Sequence, residues 1–241
     1  MTRPTALVTG GAVRLGAAIS RRLAAGGFRV LVHARGHADA ATALATELGG
    51  DALTADLGAP GGADALADAA LARLDGAPLA VLVNNAASFL RGPSEALPLD
   101  DFEAQLRLNL TAPFRLCQRL APALRAGPRP GAIVNLLDVS ALRPYGGAAA
   151  YSATKAGLQA LTVGLAAEWG PQIRVNGVAP GAALFPADED ADARARHLSR
   201  TPHGRESGAE SIAEGVWFLV DGPTAVTGTV LTVDGGRSAR W

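Results

Sequence analysis

The chain is poor in several things that usually reveal a function. It has one cysteine, one methionine, two tyrosines, 5% aromatic residues and no net charge, with 22 basic residues against 22 acidic ones in 241. A lone Cys117 has no partner for an intrachain disulfide, so nothing in the sequence points to an oxidising compartment. Charge balance argues against a nucleic-acid partner, which is normally met by a basic excess on one face. Long hydrophobic runs are missing too: stretches such as Leu79-Ala-Val-Leu-Val83 are far short of the roughly 20 residues needed to span a bilayer. The start runs from Met1 directly into Thr5-Ala-Leu-Val-Thr9 and reads as a first strand rather than a signal peptide, which predicts a cytoplasmic protein. The four histidines, at 33, 37, 197 and 203, lack metal-ligand spacing, and no metal site is expected. The scarcest charged residue is lysine: Lys155 stands alone and the other basic residues are all arginine.

What is present is an alternation of short apolar runs and longer helical stretches. Strands are expected at 5–9, 29–34, 51–55, 79–84, 131–137, 173–178 and 229–233, mostly as continuous apolar runs, which suit strands covered on both faces. Helices are expected at 15–26, 37–48, 62–74, 100–125, 148–169 and 208–220. The pattern predicts an α/β fold, a single doubly wound domain over 1–241 with no linker or repeat. Pro186 to Glu210 is polar and follows the sixth strand, so a substrate lid near 182–210 is expected, the alternative being a solvated loop with one short helix.

Thr9-Gly10-Gly11-Ala12-Val13-Arg14-Leu15-Gly16 joins the first strand to the first helix. Glycines there allow the backbone to approach a pyrophosphate at a helix N-terminus. After the second strand the chain reads His33-Ala-Arg35-Gly-His37, without the carboxylate that would hold the ribose hydroxyls of NAD. Arg35 with Arg14 is instead suited to the 2′-phosphate of NADP, unless either is simply a surface charge. Asp56 is a candidate adenine contact or a helix cap, and Asn84-Asn85-Ala86-Ala87 lies where a doubly wound sheet reverses its order. Tyr151 and Lys155, four apart on a helix, share one face. An ammonium near a phenol lowers its pKa, which fits the pair for proton transfer.

Taken together, these motifs resemble the short-chain dehydrogenase/reductase family over essentially the whole chain. The glycine turn, Asn84-Asn85-Ala86, Asn109, Tyr151 with Lys155, Arg174-Val-Asn176, Pro180-Gly181 and Val233-Asp-Gly-Gly236 all fall in the family's order. The resemblance implies a Rossmann-type fold with seven parallel strands, Tyr151 as proton donor, Lys155 tuning it and binding ribose, and Asn109 holding a water in a relay. It implies NADP contacts from Gly10, Arg14, Leu15, Gly16, His33, Arg35, Asp56 and Leu57, and on the other side of the crevice from Asn85, Ala86, Tyr151, Lys155, Pro180 and Gly181. It also implies a homo-oligomer, commonly a tetramer packed through the 100–125 and 148–169 helices.

Two residues depart from the common pattern: Asp138 stands where most members carry a serine, and Arg14 sits in the glycine turn. Both are similar to the pteridine reductase and dihydromonapterin reductase branch, as are Phe89, the tail Asp234-Gly-Gly-Arg237 and the segment 179–185. That branch implies substrate contacts from Arg14, Ala87, Phe89, Asp138, Tyr151 and Leu184, and a dihydropterin such as dihydrobiopterin or dihydromonapterin as substrate. Chemically, an ionised carboxylate would oppose the developing oxyanion of a ketone, whereas a pterin offers ring nitrogens that exchange protons with a carboxyl. The competing expectations are a reductase for a ketone, sugar or 3-oxoacyl thioester, with Ser140 as the replacement hydroxyl, and a non-catalytic dinucleotide-binding scaffold.

Overall fold

A computed structural model describes residues 3–185 and 189–239. Seven strands form one parallel sheet: β1 (Thr5–Val8), β2 (Arg29–Ala34), β3 (Asp51–Thr54), β4 (Leu79–Asn84), β5 (Gly131–Leu136), β6 (Ile173–Pro180) and β7 (Val230–Val233). Their spatial order is β3-β2-β1-β4-β5-β6-β7, so the chain reverses direction across the sheet between β1 and β4. That crevice is where doubly wound sheets bind ligands, beyond the strands' carboxyl ends.

The helices are α1 (Arg14–Ala25), α2 (Ala38–Leu48), α3 (Gly62–Leu74), α4 (Leu99–Leu106), α5 (Ala112–Arg125), α6 (Ala149–Trp169), α7 (Ala191–Ser199) and α8 (Gly208–Asp221). Successive strand residues point to opposite faces, and the sequence exploits this. Ala6, Val8, Val30, Val32, Val81 and Val83 pack in the layer of α1, α2 and α8. Leu7, Leu31, Leu79, Leu82 and Ile133 face the other way, against α3, α5 and the second half of α6. Both faces are covered, which explains the continuous apolar runs.

The expected strands and helices are found, with shifts of one or two residues at their ends, and two differences bear on the site. The helix expected at 100–125 is interrupted: α4 passes through a π turn at Arg107–Thr111 before α5 begins. Pro113 starts α5 without an N–H, so the Asn109 carbonyl loses the donor that a continuous α-helix would supply. The second is α7, the short helix that the alternative reading of the lid segment expected: nine residues, capped by Asp190, whose carboxylate accepts from Ala193 N at 2.8 Å. Pro186, Ala187 and Asp188 of that segment lie outside the described residues.

Candidate active site

The glycine turn leaves β1 with Gly10 at φ 59°, a left-handed conformation that suits glycine. A Cβ on Gly16 would lie 1.9 Å from the Gly10 carbonyl oxygen, so only glycine fits there. Thr9 ties this turn to the sheet reversal: its hydroxyl accepts from Asn85 N (2.9 Å) and Ala86 N (3.0 Å), while the Asn85 amide donates to the carbonyls of Thr9 and Gly10. Asn85 thus shapes the turn from the β4 side. Arg14 has φ 51°, a conformation costing a non-glycine residue about 1–2 kcal/mol. Its guanidinium donates to the Leu184 carbonyl at 3.3 Å, linking the turn to the loop after β6.

Three of the residues expected to contact cofactor have contacts within the protein. His33 is buried, its Nδ1 accepting from Gly10 N (3.1 Å) and its Nε2 lying 3.0 Å from the Ala55 carbonyl. With both ring nitrogens engaged, the imidazole braces the turn from beneath, and burial lowers its pKa from 6.5. Leu57 belongs to the core on the α3 side. Asp56 is exposed and closes a turn, its Oδ1 accepting from Gly58 N at 2.9 Å. Arg35 is exposed just beyond β2, and among the described residues no carboxylate lies within ion-pair distance of it.

A cleft of about 1590 Å³ opens over the carboxyl ends of the strands. Of the residues expected to bind cofactor or substrate, Arg14, Leu15, Asn85, Ala87, Phe89, Asp138, Tyr151, Lys155, Pro180, Gly181 and Leu184 line it. Gly181 lies so close to Asp234 that a Cβ there would meet the aspartate Cβ at 2.8 Å.

At the centre, the Tyr151 hydroxyl donates to Asp138 Oδ2 across 3.3 Å, a long hydrogen bond. The other carboxylate oxygen is fixed by Ser140 N at 2.7 Å. Lys155 Nζ donates to the Leu136 carbonyl at 2.7 Å and lies 5.7 Å from the Tyr151 ring centroid. Burial lowers its pKa from 10.5 to about 8, against the opposing pull of Asp138. The Tyr151 pKa moves opposite to expectation: burial, and then the Asp138 charge, raise it above 10. The phenol is therefore held protonated, first by its burial and then by the carboxylate that faces its hydroxyl.

Asn109 is fully buried in the π turn. Its Oδ1 accepts from Ser88 N, and its Nδ2 donates to the Ser88 carbonyl and to Thr154 Oγ1. The side chain anchors the loop carrying Phe89, so any part in a proton relay falls to its carbonyl rather than to the amide. Phe89 is 47% exposed and its ring centroid lies 4.5 Å from that of Tyr151, inclined at 63°. Ser140 is fully buried, its hydroxyl without a partner, and it does not line the cleft.

Sequence reasoning gave no site role to Arg91, Tyr145, His197 and Arg200, or to Arg237, noted only as part of the tail Asp234-Gly-Gly-Arg237; all five also line the cleft. They come from four separate segments, and no spacing links them.

A family model described as enoyl-(acyl carrier protein) reductase matches residues 11–238. The chain is 36% identical to 3beta-hydroxysteroid dehydrogenase 1 of Eggerthella lenta, covering 97% of this chain and 93% of that protein. It is 39% identical to 4-formylbenzenesulfonate dehydrogenase TsaC1/TsaC2 of Comamonas testosteroni over 99% of both. The chain belongs to the short-chain dehydrogenase/reductase family. Among solved structures, FolM alternative dihydrofolate reductase 1 from Brucella canis, complexed with NADP, superposes on this short-chain dehydrogenase/reductase with a TM-score of 0.89. Its identity is 30%, over 99% of this chain and 95% of that one. The seven-stranded Rossmann-type fold and an oxidoreductase of this family are thereby established. The finer pteridine-reductase assignment is not, since the two relatives are named for a steroid and an aromatic aldehyde.

Proposed function

We propose that this protein is an NADPH-dependent reductase acting on the C=N bond of a dihydropterin. The carrying observation is Asp138: its carboxylate faces the Tyr151 hydroxyl at 3.3 Å, while the hydroxyl that could replace the usual serine, Ser140, is buried away from the cleft. A ketone reductase needs a neutral donor at the substrate oxygen. A carboxylate and phenol pair suits a ring nitrogen that must gain a proton.

The residues present fit NADP. The left-handed Gly10 and the close packing of Gly16 on its carbonyl set the turn at the N-terminus of α1, where a pyrophosphate would meet unpaired N–H groups, and Arg14 and Arg35 offer guanidinium groups for a 2′-phosphate. One Lys155 proton is held by Leu136, leaving two for ribose hydroxyls. When bound, NADPH supplies a hydride to pterin C6, and N5 gains one proton, so the C6=N5 bond becomes a single bond. Tyr151 and Asp138 organise that proton: burial keeps it on the phenol, and Ser140 N fixes the carboxylate beside it. Phe89 offers a ring face for the planar substrate beside the phenol. The NADP-bound FolM structure supports this reading. A homo-oligomer built on α5 and α6 is part of the same proposal.

The second reading, a carbonyl reductase, is favoured by the names of the two relatives. The deciding assay follows NADPH oxidation with 7,8-dihydrobiopterin and 7,8-dihydromonapterin beside simple ketones and 4-formylbenzenesulfonate. Dihydropterin turnover is expected, and Asp138→Asn is expected to lower it about a hundredfold, the scale of a lost acid–base group. Turnover of carbonyl compounds alone would overturn the pterin reading, and a preference for NADH would overturn the roles of Arg14 and Arg35.

A further inference from the structure

The last polar side chain of β2 does not line the cleft, yet two successive backbone donors of the glycine turn depend on that residue. His33 accepts from Gly10 N through its ring Nδ1 at 3.1 Å, and from Gly11 N through its own carbonyl at 2.8 Å. Its Nε2 lies 3.0 Å from the Ala55 carbonyl. These partners fix the tautomer. A carbonyl oxygen only accepts, so Nε2 carries the hydrogen, and a backbone N–H only donates, so Nδ1 is bare. The turn in this form requires a neutral imidazole.

A proton on Nδ1 would set one N–H against another across the 3.1 Å now spanned by a hydrogen bond. Gly10 cannot yield by itself: its carbonyl accepts from Asn85 Nδ2 at 3.0 Å and packs so closely on Gly16 that no Cβ fits between them. Gly16 belongs to the first turn of α1, whose free N–H groups would meet the pyrophosphate. A displacement at His33 is thereby passed to the cofactor site. On the adjoining segments, β1 carries no charge, Asp51 of β3 is paired with Arg29, and Asp64 of α3 with Arg115 and Arg119. Arg14 stands in the turn, Arg35 and His37 follow β2, and Asp56 follows β3. Burial, the largest influence, lowers the His33 pKa from 6.5 and outweighs the Ala55 bond and the Asp56 charge, which favour the charged ring.

We propose that His33 is a positioning residue for the cofactor: only its neutral, Nε2-protonated ring holds the turn that receives the pyrophosphate, so NADP binding and protonation of His33 oppose one another. The inference concerns the cofactor alone and holds whichever substrate is reduced. Affinity is full above the folded pKa of the ring and is lost as pH falls through it. By reciprocity, bound NADP lowers that pKa further. A ring acting through charge alone would do the reverse, since an anionic cofactor favours an imidazolium beside it.

The test is equilibrium binding. NADP+ is titrated calorimetrically into the parent and into His33→Gln at about pH 7.5 and about pH 5.5. Glutamine keeps an acceptor and a donor but does not titrate. His37 and the 2′-phosphate, with a second pKa near 6, titrate with both proteins, so the difference between the two reports His33. Over this range the parent's affinity is expected to fall at least about fivefold more than the variant's. Nitrogen NMR of the parent's ring is the second readout: a bare Nδ1 and a protonated Nε2 are expected at neutral pH, with a lower pKa when NADP+ is saturating. The signal is assigned by its absence from His33→Gln or, should that variant not fold, by elimination through His37→Gln, His197→Gln and His203→Gln. Parallel affinities in parent and variant, a hydrogen on Nδ1, or a pKa that NADP+ leaves unchanged or raises would each overturn the proposal. Failure to turn over dihydropterins would reject the pterin reading and leave this one standing.

Discussion

At the scale of single residues, the site is governed by what burial does to three titratable groups. Lys155 is fully buried and its pKa falls to about 8, so the ammonium that would hold ribose is itself lost in the mildly alkaline range. Reduction needs that charge and the phenolic proton together. The rate should therefore be level below about pH 8 and fall above it, as Lys155 gives up its proton. Lys155→Arg keeps a cation that does not titrate in this range, but its planar head is larger than an ammonium. Turnover should drop steeply while the alkaline limb disappears, and a limb that persists in the arginine variant would assign it to another group. His33 makes the opposite end of the pH scale informative. Its folded pKa is depressed, so the unfolded chain binds the proton more tightly, and stability present above pH 6.5 is lost as pH falls through the folded value. Melting temperatures followed from about pH 7.5 down to pH 5 should decline less in His33→Gln, whose amide can accept from Gly10 and donate to Ala55, than in the parent. Equal slopes would rule out the imidazole as the acid-labile brace.

At the scale of elements, the glycine turn, the β4 end and the π turn act as one support. Thr9 and Asn85 bind the first two together, and Asn109 binds the third to the Phe89 loop and to α6 through Thr154. Gly10, Gly16, Asn85 and the Tyr151–Lys155 pair were legible because each sits in a local motif, whereas Asn109 was reached only through the resemblance of the whole chain to the family. The sequence did not reveal the π turn, although Pro113 is the visible signal for it: a residue with no N–H four places after Asn109 cannot complete an α-helical bond to that carbonyl. Pro113→Ala restores the missing donor. The expected result is a protein at least as stable as the parent, since the helix gains a hydrogen bond, with lower turnover as the Asn109 carbonyl is drawn into the helix. Circular dichroism melts and steady-state rates check the two halves separately, and turnover equal to the parent's would mean that the carbonyl has no part in proton supply.

At the scale of the whole molecule, the layers were readable because strands buried on both faces leave continuous apolar runs, and all seven stand in the sequence. The far lining of the cleft was not, since Arg91, Arg200 and Arg237 come from separate segments that the crossings of the sheet bring to one cleft. The last feature at this scale is the outer surface of α6. Its exposed positions, Ala149, Ala153, Ala156, Ala160, Val163, Gly164 and Ala167, repeat every three or four residues and carry no charge before Glu168. Val163 leaves half of its surface open. A stripe of such small side chains lets a second helix approach closely, and removing it from water is favourable by about 25 cal/mol per Å². An arginine midway along the stripe would have to be buried unpaired at the contact, which is costly. Sedimentation of the parent is therefore expected to give a multiple of the 24.4 kDa chain, and Ala160→Arg to shift it to 24.4 kDa while leaving the NADPH site folded. A parent protein that sediments as a monomer would rule the association out, and an Ala160→Arg variant that keeps the parent's oligomeric mass would place it elsewhere than on α6.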